Sequence, residues 1–259
     1  MPELPDLQVF ARNLDKKLGG KTLKEIVVHS KKLNVSADAL QQALHNKTLK
    51  KVYREGKEIY FDFGEHTLAL HLMLHGQLFL FEDKNENKYT VVELQFKDGT
   101  GLALTDFQSA ATPTLDPEKK TSPDALDESV DAKWLFAQLQ KKRTVIKNLL
   151  LDQKFIRGIG NAYADEIFYD AGISPFSVAN KIPEDKVKVL AKSINHVLTN
   201  AEKEITKAKP DIISGEFRDF LQVHHTKKKE TPKGEKILIN DGTRKTYYTE
   251  GQKLYPPAP

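Results

Sequence analysis

The chain has no cysteine, a single tryptophan and two methionines in 259 residues. Without cysteine there can be no disulfide and no cysteine-ligated zinc or iron–sulfur centre. Its eight histidines are scattered without zinc spacing, so neither a metal nor a cofactor is expected. Long apolar runs are also missing, and none reaches the roughly 18 residues that a membrane span needs. The charged, proline-containing N-terminus lacks the apolar stretch of a secretion signal, which makes a cytoplasmic location the expectation. Nor is there a strong charge of either sign. Lys and Arg number 40 against 36 Asp and Glu, and a net +4 is too mild to name a partner by itself.

The distribution of that charge says more. From Ile205 to the end stand 11 basic and 7 acidic residues, so the whole excess lies in the C-terminal fifth, where Lys227-Lys228-Lys229 is found. Taken alone, such a run reads as a solvated loop. With 39% hydrophobic residues the chain can bury one large core or two smaller ones, and the order of its patterns decides between them.

Residues 6–18 put Leu7, Val9, Phe10, Leu14 and Leu18 on one helical face before Gly19-Gly20 stops the helix. Short alternating runs follow. The spacing predicts strands over Thr22–Val28, Thr48–Tyr53, Glu58–Phe63, Thr67–Leu72, Gln77–Glu82, Thr90–Phe96 and Gly101–Thr105, a pattern suited to a sandwich or flattened barrel. Residues 112–132, with three prolines, many acids and little apolar periodicity, read as a linker. From Ala132 the period is helical: Trp134 to Leu151 forms one amphipathic stretch, and Pro183 to Ile205 forms another. Near the end, Lys236–Ile239 and Lys245–Thr249 read as a β-hairpin turning at Asn240-Asp241-Gly242. The fold expected is therefore α+β. An N-terminal β-sandwich with a leading helix (1–115) and a linker (116–131) precede a helical domain (132–259) that carries the hairpin at about 211–255.

Several residues can carry chemistry. Removal of Met1 would leave Pro2 as a secondary amine, and a free N-terminal amine titrates near ~8, so at neutral pH part of it is unprotonated and nucleophilic. Glu3 beside it can transfer a proton. The run Gly158-Ile159-Gly160-Asn161 lies ahead of an apolar helix and downstream of the cationic helix Lys141-Lys142-Arg143, and its two glycines let backbone N–H groups approach an anion. Asn161 at the helix start can add a side-chain donor.

Together, Met1-Pro2-Glu3-Leu4-Pro5-Asp6 with its following helix and the run from Lys141 to Glu166 resemble the formamidopyrimidine-DNA glycosylase / endonuclease VIII family of base-excision repair enzymes. The likeness extends from Met1 to about Leu254, with Asp6 where many members have glutamate. It implies a helix-two-turns-helix over Ala132 to Phe176 and a bifunctional glycosylase and apurinic/apyrimidinic lyase that removes oxidised bases. Pro2 would attack C1′ of the damaged nucleotide, and the resulting iminium would promote elimination of the flanking phosphates. By the same resemblance Lys57 and Lys154 lie close to phosphate and lesion, Gly160 and Asn161 grip the backbone, and Arg244 is the finger arginine that holds phosphate around the lesion. The implied partner is damaged DNA, duplex or single-stranded, bound by a monomer in a bacterial cytoplasm at the nucleoid.

Two departures from the family matter. Most members build the finger around cysteines and a zinc ion, whereas Thr249 and Gly251 stand where the last pair would be, so a zinc-free finger held by hairpin hydrogen bonds and by Tyr247, Tyr248 and Leu238 is expected. The family's guanine-lesion branch fills the gap left by an extruded base with a methionine and an arginine-x-phenylalanine pair. Here Leu74 holds the wedge position, while Gln108 or Ser109 and Ala110 replace the pair, which argues against strict recognition of an opposite cytosine. A rival reading is a damage- or structure-specific DNA-binding protein on the same scaffold with altered catalysis. A nucleotide-metabolism enzyme without DNA fails to explain phosphate-gripping residues in three separate segments.

Overall fold

The computed structural model describes residues 1–256. They form two compact units, Met1–Lys119 with Ile205–Glu216, and Lys120–Glu204 with the chain from Phe217 onward. No helix among the described residues is long and apolar enough to cross a membrane.

The first unit opens with α1 (Leu4–Leu18). Its start is fixed by a capping box in which Glu3 N–H donates to Asp6 Oδ2 at 2.9 Å and the Glu3 carboxylate accepts from the Asp6 amide. Pro5 sits in the first turn, where a missing N–H costs nothing. The apolar face of α1, with Leu7, Phe10, Leu14 and Leu18 at 0–1% exposure, enters the core, and removing a ring such as Phe10 would cost roughly 3–5 kcal/mol.

Eight strands follow: β1 (Leu23–Val28), β2 (Lys51–Glu55), β3 (Glu58–Asp62), β4 (Thr67–His71), β5 (Gln77–Glu82), β6 (Thr90–Phe96), β7 (Thr100–Thr105) and β8 (Thr112–Leu115), with a short helix α2 (Ala37–Leu44) after β1. They make two four-stranded antiparallel sheets, ordered β1-β6-β7-β5 and β2-β3-β4-β8. One core joins their inner faces, with Ile59, Phe61, Leu68 and Leu70 on one side and Leu78, Val92, Leu94, Leu102 and Leu104 on the other. The expected sandwich with a leading helix is present.

Two readings of this half need correction. The stretch read as linker begins with a strand: β8 pairs with β4, Pro113 lying opposite Leu70 on the outermost strand of its sheet, where a proline is tolerated. Helix α2 was not anticipated, although Ser36 caps it by accepting the Ala39 N–H at 3.1 Å.

The second unit holds α3 (Ala132–Leu139), α4 (Ile146–Leu151), α5 (Asn161–Ala171), most of α6 (Glu184–Ala208) and the hairpin β9 (Leu238–Asp241) and β10 (Lys245–Tyr248). The single helix expected from Trp134 to Leu151 is two helices. Its apolar period continues across the break, but the N–H groups of Ile146 and Lys147 bond to the carbonyls of Ser177 and Pro175, and Val145 bridges Val178. Lys141, Lys142 and Arg143 consequently lie in a connection and not in a cationic helix. The hairpin turn is also displaced. Asp241 pairs with Lys245 and Asn240 with Thr246, so the loop is Gly242-Thr243-Arg244 and Arg244 sits at its end.

Candidate active site and nucleic-acid interface

The chain's second residue is buried in the wall of a cavity of about 760 Å³ within the first unit. Leu74, His75, Gln77, Phe79, Tyr89 and Phe107 contribute to its lining, as does Glu216. Met1 is 39% exposed, and its ammonium lies 2.5 Å from Glu216 Oε1. Glu3, only 5% exposed, is held beside Pro2 by the capping box. Thus Pro2 and Leu74 share one cavity, whereas Lys57 lies outside its lining, in the two-residue turn between β2 and β3 where Glu55 faces Glu58. Sequence reading did not single out Glu216, Tyr89 or Phe107. Glu216 meets the N-terminus from 215 residues away, so no local pattern could announce it.

Three loops build the mouth of the cavity. In residues 72–76, Gly76 N–H donates to the Leu72 carbonyl at 2.8 Å, and any Cβ on Gly76 would come within 2.2 Å of that oxygen, so only glycine closes the loop. Leu74 projects from it, 59% exposed and therefore not a core leucine. In residues 106–111 the Asp106 carboxylate accepts the N–H groups of Gln108, Ala110 and Ala111 at 2.8–2.9 Å. Burial works to raise the Asp106 carboxyl, but these three donors outweigh it and hold the group below the usual carboxylate range. Ser109 is exposed and Ala110 half-buried. The third loop, 83–89, is tied down by Asn85, whose Nδ2 reaches Thr90 Oγ1 and Glu93 Oε2.

In the second unit, α5 follows α4 through two turns. Gly158 has φ +103°, a conformation that L side chains rarely adopt. Its N–H, expected to face an anion, is instead taken by Gln153 Oε1 at 2.9 Å, a bond that braces the turn. Gly160 is the N-cap of α5 and Asn161 its first residue. Asn161 Nδ2 donates to the Lys245 carbonyl at 2.9 Å, which joins the helix start to the hairpin immediately after Arg244. Arg244 is exposed and lines a cavity of about 460 Å³ with Asn148 and Phe176. Lys154 is exposed, its own N–H bonded to Asp152 Oδ1 at 2.9 Å.

The hairpin rests on buried acids of α5 that sequence reading quoted without assigning a role. Glu166 accepts three backbone N–H groups, from Gln222, Val223 and His224, at 2.7–2.8 Å. Burial nevertheless lifts its carboxyl above the ordinary value. Tyr247 packs with Tyr169, Val223 and Ile237, so Ile237 takes the buried position expected of Leu238. Tyr248 stands edge-on to Phe176 at 5.0 Å. Among the described residues no group of three or more His, Cys, Asp or Glu side chains could hold a metal ion.

A β-sandwich opened by a buried proline, with a helix-two-turns-helix unit bearing a β-hairpin, defines a class of DNA glycosylase. Residues 1–112 match the family model of the formamidopyrimidine-DNA glycosylase N-terminal domain, and residues 121–209 match that of the formamidopyrimidine-DNA glycosylase H2TH domain. The formamidopyrimidine-DNA glycosylase of Lactobacillus johnsonii is 33% identical over 278 residues, covering 98% of this chain and all of that protein. That of Ligilactobacillus salivarius is 34% identical over 212 residues, 75% of each. Among solved structures, Lactococcus lactis formamidopyrimidine-DNA glycosylase bound non-covalently to DNA containing an AP site has a TM-score of 0.86 at 26% identity, covering 97% of this chain and 100% of that one. The same enzyme with THF-DNA and an inhibitor gives 0.87 at 25%, with the same coverage. The chain belongs to the formamidopyrimidine-DNA glycosylase family. It is accordingly a DNA glycosylase of base-excision repair, acting on N-glycosyl bonds.

Proposed function

We propose that this glycosylase is also an AP lyase, and that the Pro2 amine, freed by removal of Met1, is the nucleophile for both steps on damaged DNA. The observation that carries the reading is the placement of the N-terminus: Pro2 is buried in a cavity wall, while Met1 is 39% exposed and so accessible to excision. The amine lone pair attacks C1′ as the C1′–N bond breaks, and the base leaves with that electron pair and takes up a proton. Once bonded to C1′, Pro2 N is positively charged and gives up its N–H proton to solvent. Its lone pair then opens the sugar as Glu3, fixed by its capping box, passes a proton to the ring oxygen, leaving an iminium between Pro2 N and C1′. The positive nitrogen acidifies C2′–H, and loss of that proton expels the 3′-phosphate. Repetition along the conjugated chain expels the 5′-phosphate.

In this reading Lys57, Lys154, Arg244, Gly160 and Asn161 hold phosphates and Leu74 enters the gap left by the extruded nucleotide. Solved relatives in complex with AP-site DNA support DNA as the partner. Because Ser109 and Ala110 offer no large side chain, the substrates expected are abasic sites and oxidised pyrimidines or ring-opened purines, with weak dependence on the opposite base. The protein acts as a monomer, and its finger needs no zinc. Borohydride reduction with abasic duplex tests the chemistry: processed protein should be trapped covalently, while Pro2→Gly and a Met1-retaining preparation should trap far less. Equal trapping by the Met1-retaining form would remove Pro2 from the mechanism.

A further inference from the structure

Around the mouth of the Pro2 cavity stand side chains that a soluble surface ordinarily buries. Tyr89 is 66% exposed, Phe107 59%, Leu74 59% and Phe79 37%. All four line the same cavity. The Phe107 ring packs on the His75 ring with centroids 4.6 Å apart, so two of the three loops meet through an aromatic contact. The other junction is a backbone bond, Asp106 N–H to the Tyr89 carbonyl at 2.9 Å, which sets Tyr89 and Phe107 on adjoining loop ends.

A second, independent feature marks the same place. Met73 and Ser109 in two of the loops, and Asp83 and Tyr89 at the two ends of the third, have φ values of +54°, +50°, +54° and +59°. Left-handed backbone at non-glycine residues carries strain and concentrates where geometry serves a ligand. Here it holds an aromatic ring out toward water, against the tendency to bury it.

We infer that Tyr89 and Phe107, backed by His75, form a stacking clamp for an unpaired nucleobase of the DNA strand that enters the Pro2 cavity. The occupant follows from the neighbours. The inference rests on the reading of Pro2 as the nucleophile, which brings a nucleotide into this cavity and leaves its neighbouring bases within reach of the rim. The rings offer π faces that any base can stack on, the exposed Gln77 carboxamide can meet a base edge, and exposed Lys88 can meet a phosphate. A clamp of this kind takes bases that are already unpaired. It therefore makes single strands and bubbles good substrates by attraction, beyond any loss of duplex activity from the small residues at Ser109 and Ala110.

The test uses processed full-length protein and a single-stranded oligonucleotide carrying 2-aminopurine beside a tetrahydrofuran abasic analogue. Binding should quench the 2-aminopurine fluorescence. Tyr89→Ala and Phe107→Ala should each weaken single-strand binding by roughly tenfold or more and abolish part of the quenching, with duplex affinity changed less than about threefold. Tyr89→Phe and Phe107→Tyr should keep both signals, while Phe107→Leu should not. Both rings are exposed, so thermal melting should be unaffected. Equal losses on single strand and duplex, quenching that survives both alanine variants, or full rescue by Phe107→Leu would overturn the clamp. Borohydride trapping on a natural abasic strand reads the Pro2 assignment separately: its failure in the parent protein would count against Pro2 alone, because quenching and relative affinity still report on the rings.

Discussion

Lys147 Nζ and Asp165 Oδ1 lie 2.6 Å apart with side chains only 6% and 0% exposed. The pair is the centre of the second unit's polar core. Lys147 also donates to Thr246 Oγ1 at 2.9 Å, and Asp165 Oδ2 receives Tyr247 N–H at 2.9 Å and faces His224 Nδ1 at 2.7 Å. One carboxylate thus ties α4, α5 and the arginine-bearing hairpin together. Removing Asp165 takes this buried carboxylate away from the Lys147 ammonium, and Asp165→Ala should destabilise the protein by about 3–5 kcal/mol. Urea unfolding of the variant measures this, and a loss below about 1 kcal/mol would show that the pair contributes little.

Asp106 links pH to the shape of the cavity mouth. Its carboxyl titrates lower in the folded protein than in the unfolded chain, so it adds stability above the unfolded value near ~3.9 and loses it as pH falls through the lower folded value. In Asp106→Asn one amide oxygen cannot serve all three N–H donors, and the new NH2 opposes some of them. The substitution should cost about 1–3 kcal/mol at neutral pH, with the gap to the parent closing below about pH 4. A gap independent of pH would assign the cost to packing instead.

At the base of the finger, Thr249 N–H donates to Gln252 Oε1 at 2.7 Å, Gln252 Nε2 to the Ile173 carbonyl at 2.9 Å, and Thr249 Oγ1 lies 3.3 Å from Glu235 Oε1. These bonds tie down the end of the hairpin through a threonine, a glutamine and a single carboxylate, a set with fewer ligands than a structural zinc site takes. Dialysis against a strong chelator should leave both cleavage and melting temperature unchanged. Stoichiometric zinc by elemental analysis would contradict the assignment.

The phosphate assignments differ in charge, and salt dependence separates them. Lys57→Ala and Arg244→Ala should each weaken binding to every DNA sequence and lower the slope of log K against log salt by about one unit. Asn161→Ala removes a neutral donor that also holds the Lys245 carbonyl, so it should weaken binding with little change of slope. An Arg244 variant with unchanged affinity and slope would take that residue out of the interface.

Much of this was legible in the sequence because alternation survives wherever one face of a strand is buried. The seven strands anticipated from Thr22 to Thr105 all occur, though β2 starts at Lys51 because Thr48 makes only an isolated bridge with Thr22. What failed was non-local. Apolar period alone ran α3 and α4 together, because the break is made by carbonyls at Pro175 and Ser177. The Asn-Asp-Gly signal placed the hairpin turn too early, since register is set by Tyr247 entering the core. Of the residues that line the first unit's cavity, Pro2 and Leu74 are the ones the chain end and the loop pattern single out, whereas Tyr89 lies unmarked in a polar loop. Glu216 reached the N-terminus only once the chain had folded.

The central claim is that the amine of Pro2 forms the covalent intermediate. The most direct measurement is peptide mapping by mass spectrometry of the borohydride-reduced adduct formed by processed protein and abasic DNA. The sugar remnant should be found on the peptide that begins with Pro2, and on no other. A remnant on a lysine-bearing peptide, such as the one containing Lys57 or Lys154, with the Pro2 peptide unmodified, would contradict the account.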